Sequence, residues 1–240
     1  MPTLFEMQGN KINILSTRPV SATITDEAKA KGILIEALSF IATEPIETVE
    51  VQQEVEQALL LSTTVIFTSM NAVEAVAAQL EDQQPDWSIY TIGHTTMELV
   101  KKFFGEDSIA GTASSAAELA ELIVEDGTAH EVIFFCGDQR RDELPDILRS
   151  NEMDVQEIEV YSTVATPHKL TKQYEGILFF SPSAVQSFFS VNKLKSNTIL
   201  FAIGDTTANS IKKYSTNKII TSDAPVKEDL VREMMEFFES

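Results

Sequence analysis

Short apolar stretches alternate with longer amphipathic stretches along the chain. The short ones are rich in β-branched and aromatic residues and predict strands at Ile12–Ser16, Ile33–Phe40, Val65–Thr68, Ser88–Ile92, Val132–Phe135, Ile177–Phe180 and Thr198–Ile203. Apolar residues with helical spacing predict helices over Ala72–Leu80, Thr95–Phe104, Ala116–Val124 and Val226–Phe238. Strands that alternate with helices indicate βαβ units, so we expect an α/β fold with mostly parallel sheets.

The chain contains an internal repeat. The stretch IGHTTMELVKK begins at Ile92, and the similar stretch IGDTTANSIKK begins 111 positions later, at Ile203. Upstream of them, FTSMNAV from Phe67 matches FSPSAV from Phe180. Downstream, GTASSAAELAELI matches TSDAPVKEDLVREMM in the same order. Three ordered matches at nearly one spacing predict a duplicated α/β domain.

Two segments rich in Val, Ile and Thr flank the central copy of the repeat, at Glu44–Val51 and Glu157–Thr166. Neither shows a helical period, and we interpret them as two antiparallel linker strands. The second lobe is then inserted into the first. The predicted parts are a first lobe at 1–44 plus 167–240, a second lobe at 51–157, and linker strands at 44–51 and 157–167.

Composition and charge narrow the possible functions. The chain has 240 residues, of which 43% are hydrophobic and 23% are charged, which is typical of a globular protein that buries a core. Its net charge of −19 argues against nucleic acid and against an anionic membrane surface as partners. No apolar run approaches the ~18 residues that span a bilayer, and the N-terminus lacks a signal-peptide pattern. We therefore predict a cytoplasmic protein.

The repeated corners can bind anions. In a parallel α/β sheet, ligands bind outside the carboxyl ends of the strands. In IGDTTA the strand ends at Ile203, Gly204 permits a tight turn, and Asp205 or Thr206 can cap the next helix. The free N–H groups of that first turn, together with the hydroxyls, favour carboxylates or phosphates. For any single corner, helix capping alone is the simpler interpretation.

The standard catalytic motifs are absent from the sequence. It contains no GxGxxG, P-loop, HExxH or GxSxG pattern, and its three histidines have no metal-ligand spacing. Cys136, the one cysteine, follows a buried-looking strand and is interpreted as a small core residue. Arg18 and Arg140 each follow a predicted strand, where a guanidinium can bind a carboxylate. We predict neither a cofactor nor a metal.

Several of these motifs together resemble the uroporphyrinogen-III synthase family. They are STRP near the N-terminus, FTSMNAV, the two Gly-x-Thr-Thr corners, VYSTV from Val160, and FSPSAV, and in that order they cover almost the whole chain. The resemblance implies two flavodoxin-like lobes joined by a two-stranded β linker, with the active site in the cleft between them. It also implies a monomer that needs no cofactor. The substrate would be hydroxymethylbilane, a linear tetrapyrrole with eight carboxylates, which is cyclised with loss of water and inversion of ring D through a spiro intermediate.

The same resemblance assigns roles to individual residues. Tyr161 matches the family's linker tyrosine, a candidate to hydrogen-bond or protonate the departing hydroxyl, although it also fits an ordinary residue of an amphipathic strand. One difference separates the two corners, since His94 stands where the other copy has Asp205. The predicted substrate-binding residues are Arg18, Ser69, Asn71, Thr95, Thr96, Arg140, Ser181, Ser183, Thr206 and Thr207.

Two other classes of protein fit the pattern. A cytoplasmic, non-catalytic protein that binds or senses a small ligand would also pair duplicated α/β domains and would need no catalytic side chains. A nucleotide-dependent enzyme on a Rossmann-like sheet is the third possibility, and the missing glycine-rich fingerprint weighs against it.

Overall fold

The structure, a computed structural model, describes residues 11–81, 83–224 and 226–239. Residues 1–10, which are part of the stretch without a signal-peptide pattern, lie outside the described residues. The chain divides into two compact units. The first unit comprises the chain up to Ala42 and from Val164 onward, and the second unit comprises Thr43–Thr163. None of the described helices has the length and apolar content that crossing a membrane requires.

Strands and helices alternate along most of the chain. The strands are β1 (Ile12–Ser16), β2 (Ile33–Ala37), β3 (Ile41–Pro45), β4 (Thr63–Phe67), β5 (Trp87–Ile92), β6 (Ile109–Ala113), β7 (Glu131–Gly137), β8 (Asp154–Ala165), β9 (Gly176–Phe179), β10 (Ile199–Ala202) and β11 (Ile219–Thr221). The helices are α1 (Ala22–Ala30), α2 (Val49–Leu59), α3 (Met70–Ala77), α4 (His94–Phe104), α5 (Ala116–Asp126), α6 (Glu143–Ser150), α7 (Pro182–Val191), α8 (Asp205–Lys212) and α9 (Lys227–Glu239). The α/β prediction is confirmed.

The sheets of the two units share the spatial arrangement of five strands but differ in how the chain connects them. The first unit has the strand order β11-β10-β9-β1-β2, and every pair in it is parallel. Numbered along the chain, this is the flavodoxin-like order 2-1-3-4-5. The second unit has the order β3-β8-β7-β4-β5-β6. Its five strands from β8 to β6 repeat the order of the first unit, but β7 and β8 come last in the chain, whereas β1 and β2 come first.

An antiparallel strand completes the second sheet. The amide of Ile46 donates to the carbonyl of Val160, and the amide of Thr166 donates to the carbonyl of Phe40, both at 3.0 Å. From the first bond to the second, the residue number falls by six on one segment, from Ile46 to Phe40, and rises by six on the other, from Val160 to Thr166. Paired residue numbers that change in opposite directions are the register of antiparallel strands. β3 therefore runs against β8 at the edge of an otherwise parallel sheet.

The extended conformation predicted for Glu44–Val51 is wrong in its second half. Strand β3 ends at Pro45, and α2 begins at Val49. The hydroxyl of Thr48 accepts a hydrogen bond from the amide of Val51 and so caps this helix. The buried face of α2 includes Val55 and Leu59, downstream of the predicted linker, so its helical period was not visible within Glu44–Val51.

Aromatic packing holds together the strands that lead to the candidate site of the second unit. The rings of Phe67 on β4 and Phe135 on β7 stack with centroids 5.4 Å apart, and both side chains are fully buried. Trp87 on β5 packs against Phe135 at 5.6 Å. These rings pack three neighbouring strands, β7, β4 and β5, against one another.

Candidate active site

The predicted site residues of the first unit follow three neighbouring strands. Arg18 comes after β1, the two serines come after β9, and the two threonines begin α8 after β10. Because these strands are parallel, all of these residues lie at the carboxyl ends of the strands, on one side of the sheet. The strand order reverses beside them, between β1 and β9. The residues are Arg18, Ser181, Ser183, Thr206 and Thr207.

The second unit repeats this arrangement and adds a tyrosine. Its predicted residues follow β7, β4 and β5, which are also neighbours, and Tyr161 lies on the adjoining strand β8. The carboxyl ends of these strands again form one edge of a sheet. The residues are Ser69, Asn71, Thr95, Thr96, Arg140 and Tyr161.

Ser69 contacts both a helix and the candidate catalytic tyrosine. Its hydroxyl oxygen accepts a 3.2 Å hydrogen bond from the amide of Ala72 and caps α3. The same hydroxyl donates its proton to the phenol oxygen of Tyr161, also at 3.2 Å. Since the phenol oxygen accepts this bond, the proton of Tyr161 stays available for donation to a ligand.

Two residues that the sequence did not single out hold Tyr161 in place. Gly137, at the end of β7, pairs with Tyr161, and a Cβ atom there would stand 2.8 Å from the phenol oxygen and closer still to the ring. The next residue, Asp138, donates its amide to the carbonyl of Tyr161 at 3.1 Å and accepts from the amide of Thr163 at 2.9 Å. A glycine followed by aspartate at a strand end was the signal that could have identified them.

A shallow depression of about 120 Å³ lies beside the tyrosine. Tyr161 and Asn71 line it, together with Glu74 of α3 and Pro45 of β3. Glu44 of β3 lines it as well, so the residues around this small space carry a phenol, an amide and two carboxylates. The structure brings the predicted residues Asn71 and Tyr161 together there.

The helices of the two Gly-x-Thr-Thr corners begin without a side-chain cap, as do α1 and α6. Serines cap α3, α5 and α7 with their hydroxyls, whereas α4 begins after Gly93 and α8 after Gly204, neither with a side-chain cap. The expectation that Asp205 or Thr206 caps α8 is therefore wrong, because both lie inside the helix. The first-turn N–H groups of α4 and α8 are left without a side-chain acceptor, which favours binding of an anion.

Within each corner the two threonines have different environments. Thr95 and Thr206 are exposed, whereas Thr96 and Thr207 are only 4% and 3% exposed. The buried pair packs the helix onto its sheet, so a ligand at the corner meets the hydroxyl of Thr95 or Thr206 first.

Arg18 and Arg140 differ in whether a carboxylate of the described residues pairs with them. Arg140 forms ion pairs with Asp142 and with Glu157 of β8, and Glu157 in turn pairs with Arg149 at 2.7 Å. This network satisfies the charge of Arg140 within the protein. Arg18 is exposed, and no carboxylate among the described residues pairs with it. Of the two arginines, Arg18 has the guanidinium available for a ligand.

The other candidate groups are Cys136 and possible metal ligands. Cys136 is 2% exposed, and its burial raises the pKa of the thiol to about 12, so it is neutral near pH 7. The described residues include no group of three or more His, Cys, Asp or Glu side chains that could hold a metal ion. What the predicted site residues at the carboxyl ends of the strands can do is donate hydrogen bonds and orient a ligand.

The fold and these edges define a duplicated, flavodoxin-like α/β protein with hydrogen-bond donors at the strand ends of both units. Comparison with known families gives a closer assignment, since the family model described as uroporphyrinogen-III synthase HemD matches residues 22–232. The chain belongs to the uroporphyrinogen-III synthase family.

Solved structures support the same fold. A uroporphyrinogen-III synthetase from Helicobacter pylori aligns with a TM-score of 0.64 at 14% identity, over 94% of this chain and 99% of that chain. A mutant uroporphyrinogen III synthase from the extremely thermophilic bacterium Thermus thermophilus aligns with a TM-score of 0.57 at 14% identity, over 95% of this chain and 98% of that chain. At 14% identity, these alignments show that the proteins share a fold.

Proposed function

We propose that this chain converts hydroxymethylbilane into uroporphyrinogen III, closing the ring with inversion of ring D and loss of water through a spiro intermediate. The observation that carries the proposal is the family match over residues 22–232, which includes every predicted site residue except Arg18. Nothing in the comparisons favours the alternative of a non-catalytic ligand-binding or sensor protein.

The strand-end donors suit a substrate with eight carboxylates. Free N–H groups at the start of α4 and α8 can each receive one carboxylate, and the hydroxyls of Thr95 and Thr206 stand beside them. Arg18 adds a guanidinium in the first unit, where Ser181 and Ser183 also lie with their hydroxyl oxygens 3.0 Å apart. We do not include Arg140 among the proposed substrate-binding residues, because its guanidinium already forms ion pairs with Asp142 and Glu157.

Tyr161 is proposed to assist the departure of the hydroxyl group. When the C–O bond of the substrate breaks, negative charge develops on the leaving oxygen, and a hydrogen-bond donor lowers the barrier. The bond from Ser69 leaves the phenol proton free for that role. With the phenol proton transferred to it, the hydroxyl departs as water, and the proton that the substrate loses on ring closure returns to the Tyr161 phenolate.

Control of conformation accounts for the rest of the proposed mechanism. The linear substrate is reactive and closes by itself to the uninverted isomer, so the enzyme must favour the folded arrangement that leads through the spiro intermediate. Holding several carboxylates at fixed points supplies that arrangement. In this mechanism the protein works without a cofactor, and we propose that it acts as a monomer in the cytoplasm.

A coupled assay tests the proposed function. Hydroxymethylbilane is generated in situ, the product is oxidised, and the type I and type III porphyrin isomers are separated. We expect type III in proportion to the protein added. Type I alone, at ample protein concentration, would show that the assignment is wrong and would return the ligand-binding alternative to first place.

A further inference from the structure

A second pocket lies in the first unit, at the edge opposite the candidate active site. It has a volume of about 310 Å³, the lower end of the range for small-ligand sites. The segment before β9, the segment after α7 and the residue before β10 enclose it. These are the amino ends of the strands, whereas Arg18, Ser181 and Thr206 follow the carboxyl ends.

The residues that line this pocket are positively charged, whereas the protein as a whole is negatively charged. The chain has 18 basic and 37 acidic residues, yet four of the thirteen lining residues are lysines and none of these thirteen is acidic. The lysines are Lys169, Lys172, Lys193 and Lys195. The lysines create a positive local potential in the pocket. This potential can attract small anions even though the protein as a whole, with a net charge of −19, repels them.

Three of the four lysines are available for a ligand. Lys172 pairs with Glu36, which also accepts a 2.8 Å hydrogen bond from Tyr174. In the part of the chain that the structure describes, the ammonium groups of Lys169, Lys193 and Lys195 have no carboxylate partner. An ammonium group is a compact charge with three donors, which suits phosphate and carboxylate oxygens alike.

Buried polar contacts hold the walls of the pocket in place. Asn192, 7% exposed, accepts from the amide of Leu170 at 2.8 Å and donates to the carbonyl of His168 at 2.8 Å, so it joins the two main segments. Thr198, 5% exposed, donates to the carbonyl of Tyr174 at 3.1 Å. The backbone that carries the lysines is therefore ordered before any ligand binds, which lowers the entropic cost of binding.

We propose that this pocket binds a compact polyanion of the phosphate or the polycarboxylate class, at a site separate from the candidate site residues of the first unit. The pocket is too small for a linear tetrapyrrole, and its lysines suit two or three negative charges held close together. Binding there leaves the carboxyl edge of the same sheet open.

Isothermal titration calorimetry of the full chain with inorganic pyrophosphate and, separately, with citrate tests the proposal. We expect saturable binding of at least one of them that weakens as NaCl is added. Binding of pyrophosphate alone assigns the phosphate class, and binding of citrate alone assigns the polycarboxylate class. Absence of saturable heat with both overturns the proposal.

A pair of matched variants locates the site. Lys193→Gln with Lys195→Gln removes two pocket charges, and we expect the dissociation constant to rise about tenfold. Lys29→Gln with Lys102→Gln removes the same charge from exposed helix positions outside the pocket lining and should leave the dissociation constant unchanged. Equal weakening in both variants would indicate diffuse counterion binding and overturn the proposal. The readout is binding itself, so it is independent of the synthase assay.

Discussion

The hydroxyl of Ser69 donates a 3.2 Å hydrogen bond to the phenol oxygen of Tyr161 while it accepts one of the same length from the amide of Ala72. One side chain therefore both caps α3 and leaves the phenol proton free for a ligand. The same oxygen atom of Ser69 takes part both in helix capping and in the candidate site.

Replacing Tyr161 by phenylalanine tests its proposed part in the reaction. We expect the rate of type III formation to fall by about tenfold to a hundredfold, because the leaving oxygen loses its donor. Tyr90→Phe is the matched control, since it removes a phenol that donates to Asp126 at 2.6 Å in the same unit. Stability by chemical denaturation and the isomer assay are measured for both. Unchanged type III formation in Tyr161→Phe would exclude the tyrosine from the mechanism.

Ser69→Ala separates orientation of the tyrosine from helix capping. The lost cap should lower the free energy of unfolding by about 0.5–2 kcal/mol, and the freed phenol should slow type III formation. Ser115→Ala removes an equivalent cap, the 3.2 Å bond from the amide of Glu118, without touching Tyr161. We expect similar losses of stability but slower catalysis only in Ser69→Ala. Equal rates in the two variants would leave Ser69 with a capping role alone.

Equivalent glycines of the two repeats should respond differently to alanine. Gly93 has φ of +79°, where a side chain is strained, whereas Gly204 has φ of 176°, which is extended backbone that any residue adopts. Gly93→Ala should cost about 1–3 kcal/mol in the free energy of unfolding, and Gly204→Ala less than about 0.5 kcal/mol. Denaturant titrations measure both. Equal costs would show that the two corners share one backbone conformation.

Asp205 is expected to compete with the substrate for the start of α8. Its carboxylate lies in the first turn, where the helix dipole favours negative charge, while His94 takes this place in α4. Asp205→Asn should lower KM by about two- to fivefold and reduce stability slightly. Asp26→Asn, the same change on an exposed position of α1, should leave KM unaltered. A higher KM in Asp205→Asn would instead indicate that the carboxylate helps to bind substrate.

Periodicity and repetition were sufficient to predict the α/β class, because both depend on local spacing. They missed α2, since Glu44–Val51 covers only the beginning of that helix. The exposure of adjacent threonines could not be predicted either, because it depends on how the helix is rotated on its sheet. Thr95 and Thr96 are adjacent in sequence, yet only Thr96 is buried.

The role of Arg140 could not be predicted for a different reason. Its position after a strand indicated a ligand-binding guanidinium, and in the structure it does follow β7, where Asp142 and Glu157 pair with it. Its partner Glu157 lies on β8, and only the pairing of β7 with β8 brings the two charges together. A sequence shows where a charge is placed along the chain but not which distant charge will meet it.

The interrupted first unit has a consequence for the order in which the protein folds during synthesis. Strand β1 pairs with β2 and β9, and β9 begins only at Gly176. The whole of Thr43–Thr163 has then already been translated, and domains fold as units while the chain emerges. In a nascent chain that ends just after Ala165, we expect the second unit to resist protease while β1 and β2 are still cleaved. The unit that contains β1 would thus be the last to fold.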